Sequence, residues 1–236
     1  MHVLRVIGYS YPTDLYDAII PQMSQTIALR HEIRKGHIGT EIKTKIDQYL
    51  FDGNQLDIDT LNLFFKALND IGSDRGMALR HEYYVLAVNE LHLIPEQETF
   101  NLLLKGVRLS NPPLFKFIPY FLREFDRFGV EYDDCTYNEL LTLCAQYPTA
   151  ANFEAAKSWF KGYLRTRVQG RNYNMLVLNS YLNVLVRRGE EQSARDFIEW
   201  LRARDLWNIR LEHTADKLGI RAPEQSRDQG MCARKS

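Results

Sequence analysis

The sequence predicts an all-α protein, a right-handed α-solenoid of about four helix–turn–helix repeats with a partial leading repeat ahead of them. Three observations predict it. Four segments align with one another, TLNLFFKAL at 60–68, TFNLLLKGV at 99–107, TYNELLTLC at 136–144 and VLNSYLNVL at 177–185, and each carries Asn third. The asparagines Asn62, Asn101, Asn138 and Asn179 stand 39, 37 and 41 residues apart, a spacing that fits helical repeat units. The apolar residues around each asparagine fall at i, i+3, i+4 and i+7, the stripe of an amphipathic helix that turns one face to a core.

Taken in order, Ile42, Ile46, Tyr49 and Leu50 mark the second helix of the partial leading repeat. Leu61, Phe64, Phe65 and Leu68 form the first stripe of the first full unit. Tyr84, Ala87, Val88 and Leu91 form its second, with an insertion near 73–80 blurring the register. Phe100, Leu103, Leu104 and Val107 are followed by Ile118, Phe121, Leu122 and Phe125. Pro119 lies inside that second stripe. An interior proline costs about 3 kcal/mol, so either a kink or a later helix start is expected. Tyr137, Leu140, Leu141 and Cys144 pair with Ala156, Trp159, Phe160 and Tyr163. Leu178, Tyr181, Leu182 and Leu185 pair with Ala194, Phe197, Ile198 and Leu201. Gly72, Asn111-Pro112-Pro113, Pro148 and Gly189 break the chain between helices.

One such pair leaves an apolar face open, so pairs stack and the first helices line a groove. Each asparagine follows the first apolar residue, about 100° further round the helix, and projects from the same flank every time. The organisation read from this is an N-terminal extension with a short helical segment over 1–39, a repeat domain over 40–210, and a cap and tail over 211–236. From about Ala222 the sequence is polar and reads as a flexible tail.

At 236 residues, with 45% hydrophobic and 25% charged, the chain has ample material for a core. Lys plus Arg and Asp plus Glu are both 30, whereas a free-standing nucleic-acid binder has a pI above about 9. The neutral total conceals an asymmetry: residues 151–210 carry 11 basic against 6 acidic groups, and the first 150 carry 14 against 20. A basic later part suits phosphate and an acidic front suits protein; solvated helix faces explain the same numbers. No run of about 18 apolar residues is present, so no membrane partner is expected. Cys135, Cys144 and Cys232 have no CxxC spacing, which points to neither a disulfide framework nor zinc, and to a reducing compartment. The start, MHVLRVIGYSYPTD, has one Arg and no acid before Asp14, at best a short presequence or its remnant.

The segment VLNSYLNVLVRRGEEQSARDFIEWLRARD carries Asn179, Gly189 ten residues on, and Ala194 in its second helix, and in this it resembles the pentatricopeptide repeat family. Gly72 has the same offset from Asn62, and Asp57, Glu96, Asp133 and Asn174 each stand five residues before an asparagine, where the family's units close. The resemblance spans roughly 40–210. It implies a fold that reads one RNA base per unit with two or three side chains, the asparagine and the closing residue forming the reading pair. On that resemblance Asn101 with Asp133 is a uracil-preferring pair and Asn138 with Asn174 a pyrimidine-preferring one. Asn62 with Glu96 departs from the usual combinations, and Asn179 has only Asn208 nearby. Asparagine offers a base edge both a donor and an acceptor. The same residues have a second reading, in which Asp or Asn before a helix is an N-cap and Asn at a helix entry bonds backbone. Lys157, Lys161, Arg165, Arg167 and Arg171 are the candidate contacts to RNA backbone.

No HxE with a following CxxC, no GxxxxGK[ST], no HExxH and no GxSxG is present, and His2, His31, His37, His81, His92 and His213 have no metal-ligand spacing. Asp57, Asp59, Asp133 and Asp134 sit at unit boundaries, where capping accounts for them. The sequence therefore predicts no enzyme, no cofactor, no metal site and no small-molecule substrate. Each base contact is worth about 1–3 kcal/mol, so two competent pairs do not define a site in a transcriptome. The expectation is RNA contact inside a larger ribonucleoprotein. The resemblance implies the mitochondrial matrix, as a component of the mitochondrial ribosome or a small-subunit assembly factor touching rRNA and neighbouring proteins. The competing expectation is a protein–protein adaptor of tetratricopeptide type without RNA contact, favoured by the neutral charge and 12% aromatic content. Its W-x2-L-G-x2-Y pattern is missing.

Overall fold

The structure, a computed structural model, describes residues 25–34, 39–69, 74–111, 113–167 and 172–216. The presequence-like start, the tail from Ala222, Gly72, Pro112, Arg171 and Cys232 lie outside the described residues. All regular structure among the described residues is helical. The chain forms two compact units, Met1–Glu131 and Tyr132–Ser236.

In the first unit, α1 (25–34) precedes α2 (Gly39–Phe51), α3 (Ile58–Asn69), α4 (Asp74–Asn89), α5 (Gln97–Leu109) and, after a 3-10 turn at Phe115–Phe117, α6 (Ile118–Phe128). The expected stripes are buried, Leu61, Phe64, Phe65 and Leu68 on α3, Phe100, Leu103, Leu104 and Val107 on α5, and Ile42, Ile46 and Tyr49 on α2, where Leu50 is half-buried. First helix packs on first helix, α3 on α5, and each also meets its own second helix. Aromatic rings fill the centre. Phe100 stacks on Phe125 at 4.4 Å, and Tyr84 meets Phe121 edge-on at 6.1 Å, arrangements that the ring quadrupole favours. The Tyr84 hydroxyl donates to Glu124 Oε2 at 2.8 Å, and Arg127 Nη1 lies 3.2 Å from the same oxygen, so this buried carboxylate is satisfied twice.

Pro119 resolves by the later helix start: it occupies the first turn of α6, where its missing N–H has no intrahelical partner to lose.

The expected insertion near 73–80 is corrected. Residues 74–80 are the first two turns of α4, and the buried residues of that helix include Met77, Leu79, Arg80, Tyr83, Tyr84, Ala87 and Val88. Arg80, only 2% exposed, takes the place of an apolar residue. Its Nη2 donates to Asn69 Oδ1 at 2.7 Å and to the Phe65 carbonyl at 3.4 Å, so a guanidinium closes the C-terminal turn of α3. A cation at that end of a helix is favourable. Gly106 makes room for it: a Cβ there would lie 2.8 Å from Arg80 Cδ and 3.0 Å from Nε.

In the second unit, α7 (Asp134–Gln146) and α8 (Ala150–Arg167) pair, as do α9 (Met175–Arg188) and α10 (Glu191–Arg202), and α11 (Ile209–Asp216) follows. Within this unit the first helices form a row, α7 to α9 to α11. Phe160 of α8 lies flat on Tyr181 of α9, centroids 3.8 Å apart and planes within 4°. Gly189 ends α9 at φ +79°, a left-handed conformation that glycine adopts without a Cβ penalty. The element expected as a cap is α11, which buries Leu211, Thr214 and Ala215.

Gly106→Ala is expected to lower stability by about 1–3 kcal/mol through overpacking, read from the urea midpoint. Gly162→Ala is the control, because its methyl meets only the Tyr137 side chain, Oη at 3.4 Å and Cε1 at 3.8 Å. It is expected to stabilise by up to about 1 kcal/mol through helix propensity.

Candidate functional site

The closing residues come first in the chain, and the structure uses them as helix caps. Thr60 N–H donates to Asp57 Oδ1 at 2.7 Å and Thr136 N–H to Asp133 Oδ1 at 2.7 Å. The Glu96 and Asp133 N–H groups donate back to Thr99 Oγ1 at 3.2 Å and Thr136 Oγ1 at 3.3 Å. Asn174 Oδ1 accepts from Leu176 N–H at 2.9 Å, and Asn208 Oδ1 from Arg210 N–H at 3.0 Å. Each cap satisfies backbone donors that a helix start leaves open. Asp57 is held further by Arg30, whose Nη2 donates to both carboxylate oxygens at 2.8 Å. Burial works against its charge, yet the hydrogen bonds from Thr60 and Arg30 hold its carboxyl below the ordinary range. The cap reading of these residues is thus what the geometry displays.

The asparagines five residues further on differ from one another. Asn62 is 3% exposed, and its Oδ1 has no hydrogen-bond donor. This corrects its place among the base contacts, since a ligand cannot reach a side chain enclosed in the core. Asn101 is half-buried on α5. Asn138 and Asn179 are half-buried on α7 and α9, and each is tied to the next first helix. Ser180 Oγ donates to Asn138 Oδ1 at 2.8 Å, and Thr214 Oγ1 to Asn179 Oδ1 at 2.8 Å. Ser180 and Thr214 hold the same repeat position, one residue after Asn179 and His213. The residue at that position after Asn101 is Leu102, which explains why Asn62 lacks a donor.

Asn138 and Asn174 share the second unit, but Asn174 turns to Asp134: its Nδ2 donates to Asp134 Oδ2 at 3.0 Å, with Oδ1 engaged in the cap. Asn62 and Glu96 share the first unit. Asn101 lies in the first and Asp133 in the second.

Among the basic candidates, Lys161 and Arg165 are exposed on α8. Lys157 pairs with Glu154 at 2.6 Å and lies over the Phe153 ring at 4.8 Å. Arg167 is corrected from backbone contact to clamp. Its side chain is 9% exposed, pairs with Asp134, lies over the Tyr163 ring at 4.5 Å and donates to the Asn172 carbonyl at 3.1 Å. Arg171 lies outside the described residues. The basic side chains thus stand on a second helix, and Asn138 and Asn179 on first helices. Burial pushes the Cys144 thiol up to about 12, so it stays protonated at neutral pH. Among the described residues no group of His, Cys, Asp or Glu is arranged to hold a metal.

No protein-family model matches the sequence, and no curated protein matches it. Solved structures share the fold. The pentatricopeptide repeat protein PPR10 in complex with an 18-nt psaJ RNA element superposes with a TM-score of 0.59 at 19% identity, over 84% of this chain and 28% of that one. A cysteine-substituted form of PPR10 with the same RNA gives the same values. PPR10 from maize gives a TM-score of 0.48 at 17% identity, over 84% of this chain and 32% of that one. The chain spans about 28% of the length of the first two, and its fold class is the all-α solenoid of pentatricopeptide repeat structures.

Asn62→Leu removes a buried carbonyl that has no donor and is expected to leave stability unchanged or raise it by about 1 kcal/mol. Asn138→Leu takes the acceptor from the buried Ser180 hydroxyl and is expected to cost about 1 kcal/mol. Urea denaturation of both variants measures the difference.

Proposed function

We propose that this chain is a non-catalytic pentatricopeptide repeat protein that contacts RNA inside a ribonucleoprotein. The observation that carries the reading is the row of first helices α7, α9 and α11, with Asn138 and Asn179 at equivalent positions on a fold that PPR10 uses in complex with RNA. The finer reading is a component of the mitochondrial ribosome or a small-subunit assembly factor, in the matrix, with rRNA and neighbouring proteins as partners. It is supported by the neutral charge, by how few asparagines are open to a base, and by the resemblance in sequence.

Protein contact has its own support in the first unit. A cleft of about 700 Å3 there is lined by Ile27, Leu56, Ile58, Leu93 and Ile94 beside Arg30. Ile27 and Ile94 remain 63% and 73% exposed, an apolar surface of the kind partners cover. The adaptor reading without RNA rests on this cleft.

Crosslinking in organello separates the two readings. RNA crosslinks at α7 and α9 together with co-sedimentation with ribosomal particles are expected, and protein crosslinks alone establish the adaptor. For the purified chain, Lys161→Ala with Arg165→Ala is expected to reduce the slope of log K against log salt by about 1.4, since each phosphate contact on a single strand contributes about 0.7. Fluorescence anisotropy with a labelled oligonucleotide between 50 and 200 mM salt, the range in which such slopes are read, checks it. An unchanged slope places phosphate contact elsewhere.

A further inference from the structure

We propose that Ser180 and Thr214 are positioning residues that fix which atoms of Asn138 and Asn179 face a base, so that each reading position is completed by the next repeat. The inference rests on the RNA reading above and adds to it a dependence between neighbouring repeats.

Neither hydroxyl is placed to touch a ligand, for Ser180 is 7% and Thr214 4% exposed. A buried hydroxyl is unfavourable unless it is bonded, and both direct their hydrogen bond at the same atom of the preceding asparagine. Ser180 is held from a second side by Thr142 Oγ1 at 3.1 Å. A hydroxyl has one hydrogen to donate. With that hydrogen given to Asn138 Oδ1, Thr142 is the donor to Ser180, and the chain runs Thr142 to Ser180 to Asn138 in one direction. Thr142 lies four residues after Asn138 on α7, one turn away, so a single hydroxyl of α9 gathers two side chains of α7. In the next repeat Asn183 occupies the position of Thr142, and its Nδ2 donates to the Asn179 carbonyl at 3.0 Å. The Arg210 carbonyl, 3.2 Å from Thr214 Oγ1, is a second and more distant acceptor for the same single hydrogen, with Asn179 Oδ1 the nearer at 2.8 Å.

The consequence is chemical. An asparagine whose Oδ1 is engaged offers a ligand its amide N–H groups. It pairs with acceptors, such as the carbonyl oxygens of a pyrimidine, and keeps only one lone pair of that oxygen for an exocyclic amine. Leu102 supplies the internal contrast. Where the hydroxyl is replaced by a hydrocarbon, the preceding Asn62 has no donor for its oxygen and is enclosed.

The test uses the full chain with three variants, Ser180→Ala, Ser180→Thr and Thr214→Val. Side-chain amide NMR of the free protein is expected to show Asn138 ordered in the parent and in Ser180→Thr and freed in Ser180→Ala. Thr214→Val is expected to free Asn179 and leave Asn138 ordered. Binding to oligo(U) and oligo(A) is then measured. The preference for oligo(U) is expected to fall about five- to tenfold in Ser180→Ala, the worth of one misplaced hydrogen bond, and to persist in Ser180→Thr. An Asn138 amide that Ser180→Ala does not move overturns the proposal whatever the RNA data show. So does an unchanged base preference once the amide is freed, or a parent that favours oligo(A). If the parent binds neither oligonucleotide while the NMR pattern holds, the RNA reading fails and takes the assigned role with it, and the tether itself stands.

Discussion

Helix α9 buries Val177, Leu178, Leu182, Val184 and Leu185. At 3.6 residues per turn these cover about 160° of its circumference, a wider arc than one neighbouring helix occupies. The arc is filled by α7 and α11 on either side of the row and by α8 and α10 behind it. Each of these side chains contributes about 1.5–3 kcal/mol when removed from water, so a first helix with only one neighbour forfeits much of its own stabilisation. In the first unit α3 and α5 pack on one another in the same way, and Phe64, Phe65, Phe100 and Leu103 on these two helices are fully buried. Stacking is therefore a requirement of each first helix and not an option left to the chain.

Such wide apolar arcs make the polar residues inside them informative. Thr60, Thr99 and Thr136 are fully buried at the third position of α3, α5 and α7, and each is joined to the cap residue three places back. The caps thus serve the fold first. That Asp57, Glu96, Asp133, Asn174 and Asn208 recur five residues ahead of the asparagine position follows from where a helix must begin if its stripe is to meet the next one. Arg80 belongs to the same group of enclosed polar side chains. It holds the far end of α3 as the caps hold the near end, and Gly106 is what lets α5 approach it.

The first helices were legible because their pattern is local: an asparagine, four apolar residues and a breaker within a dozen positions. The first turns of α4 read as an insertion because Arg80 sits where a leucine would, and a lone sequence does not reveal that a guanidinium lies between two helices. Helix α11 was legible only as a cap, since His213 replaces the asparagine that identified the others. Arg167 and Asp134 stand 33 residues apart, and at that distance in sequence two opposite charges read as solvated helix faces; only the hairpin of α7 and α8 brings them into contact. The hydroxyls of Ser180 and Thr214 were missed for a related reason. They stand one residue after Asn179 and His213, in the segments NSYL and HTAD, but the partner of each is the asparagine one repeat back, and nothing local announces it.

The last described helix draws these strands together. α11 has a capping residue, Asn208, and a buried face of Leu211, Thr214 and Ala215, yet no asparagine of its own at the reading position. In a row where each helix needs a neighbour on both sides, it covers the open flank of α9. It also supplies the Thr214 hydroxyl that Asn179 requires, so it completes the preceding repeat without adding a reading position. In the first unit the balance is reversed, for α3 carries an asparagine, but the position on α5 that matches Ser180 and Thr214 is Leu102 instead of a hydroxyl. The four asparagines are thereby not four equivalent sites. Whether an asparagine is presented or enclosed depends on a side chain that belongs to its neighbour, so the sequence of the following repeat has to be read together with each position.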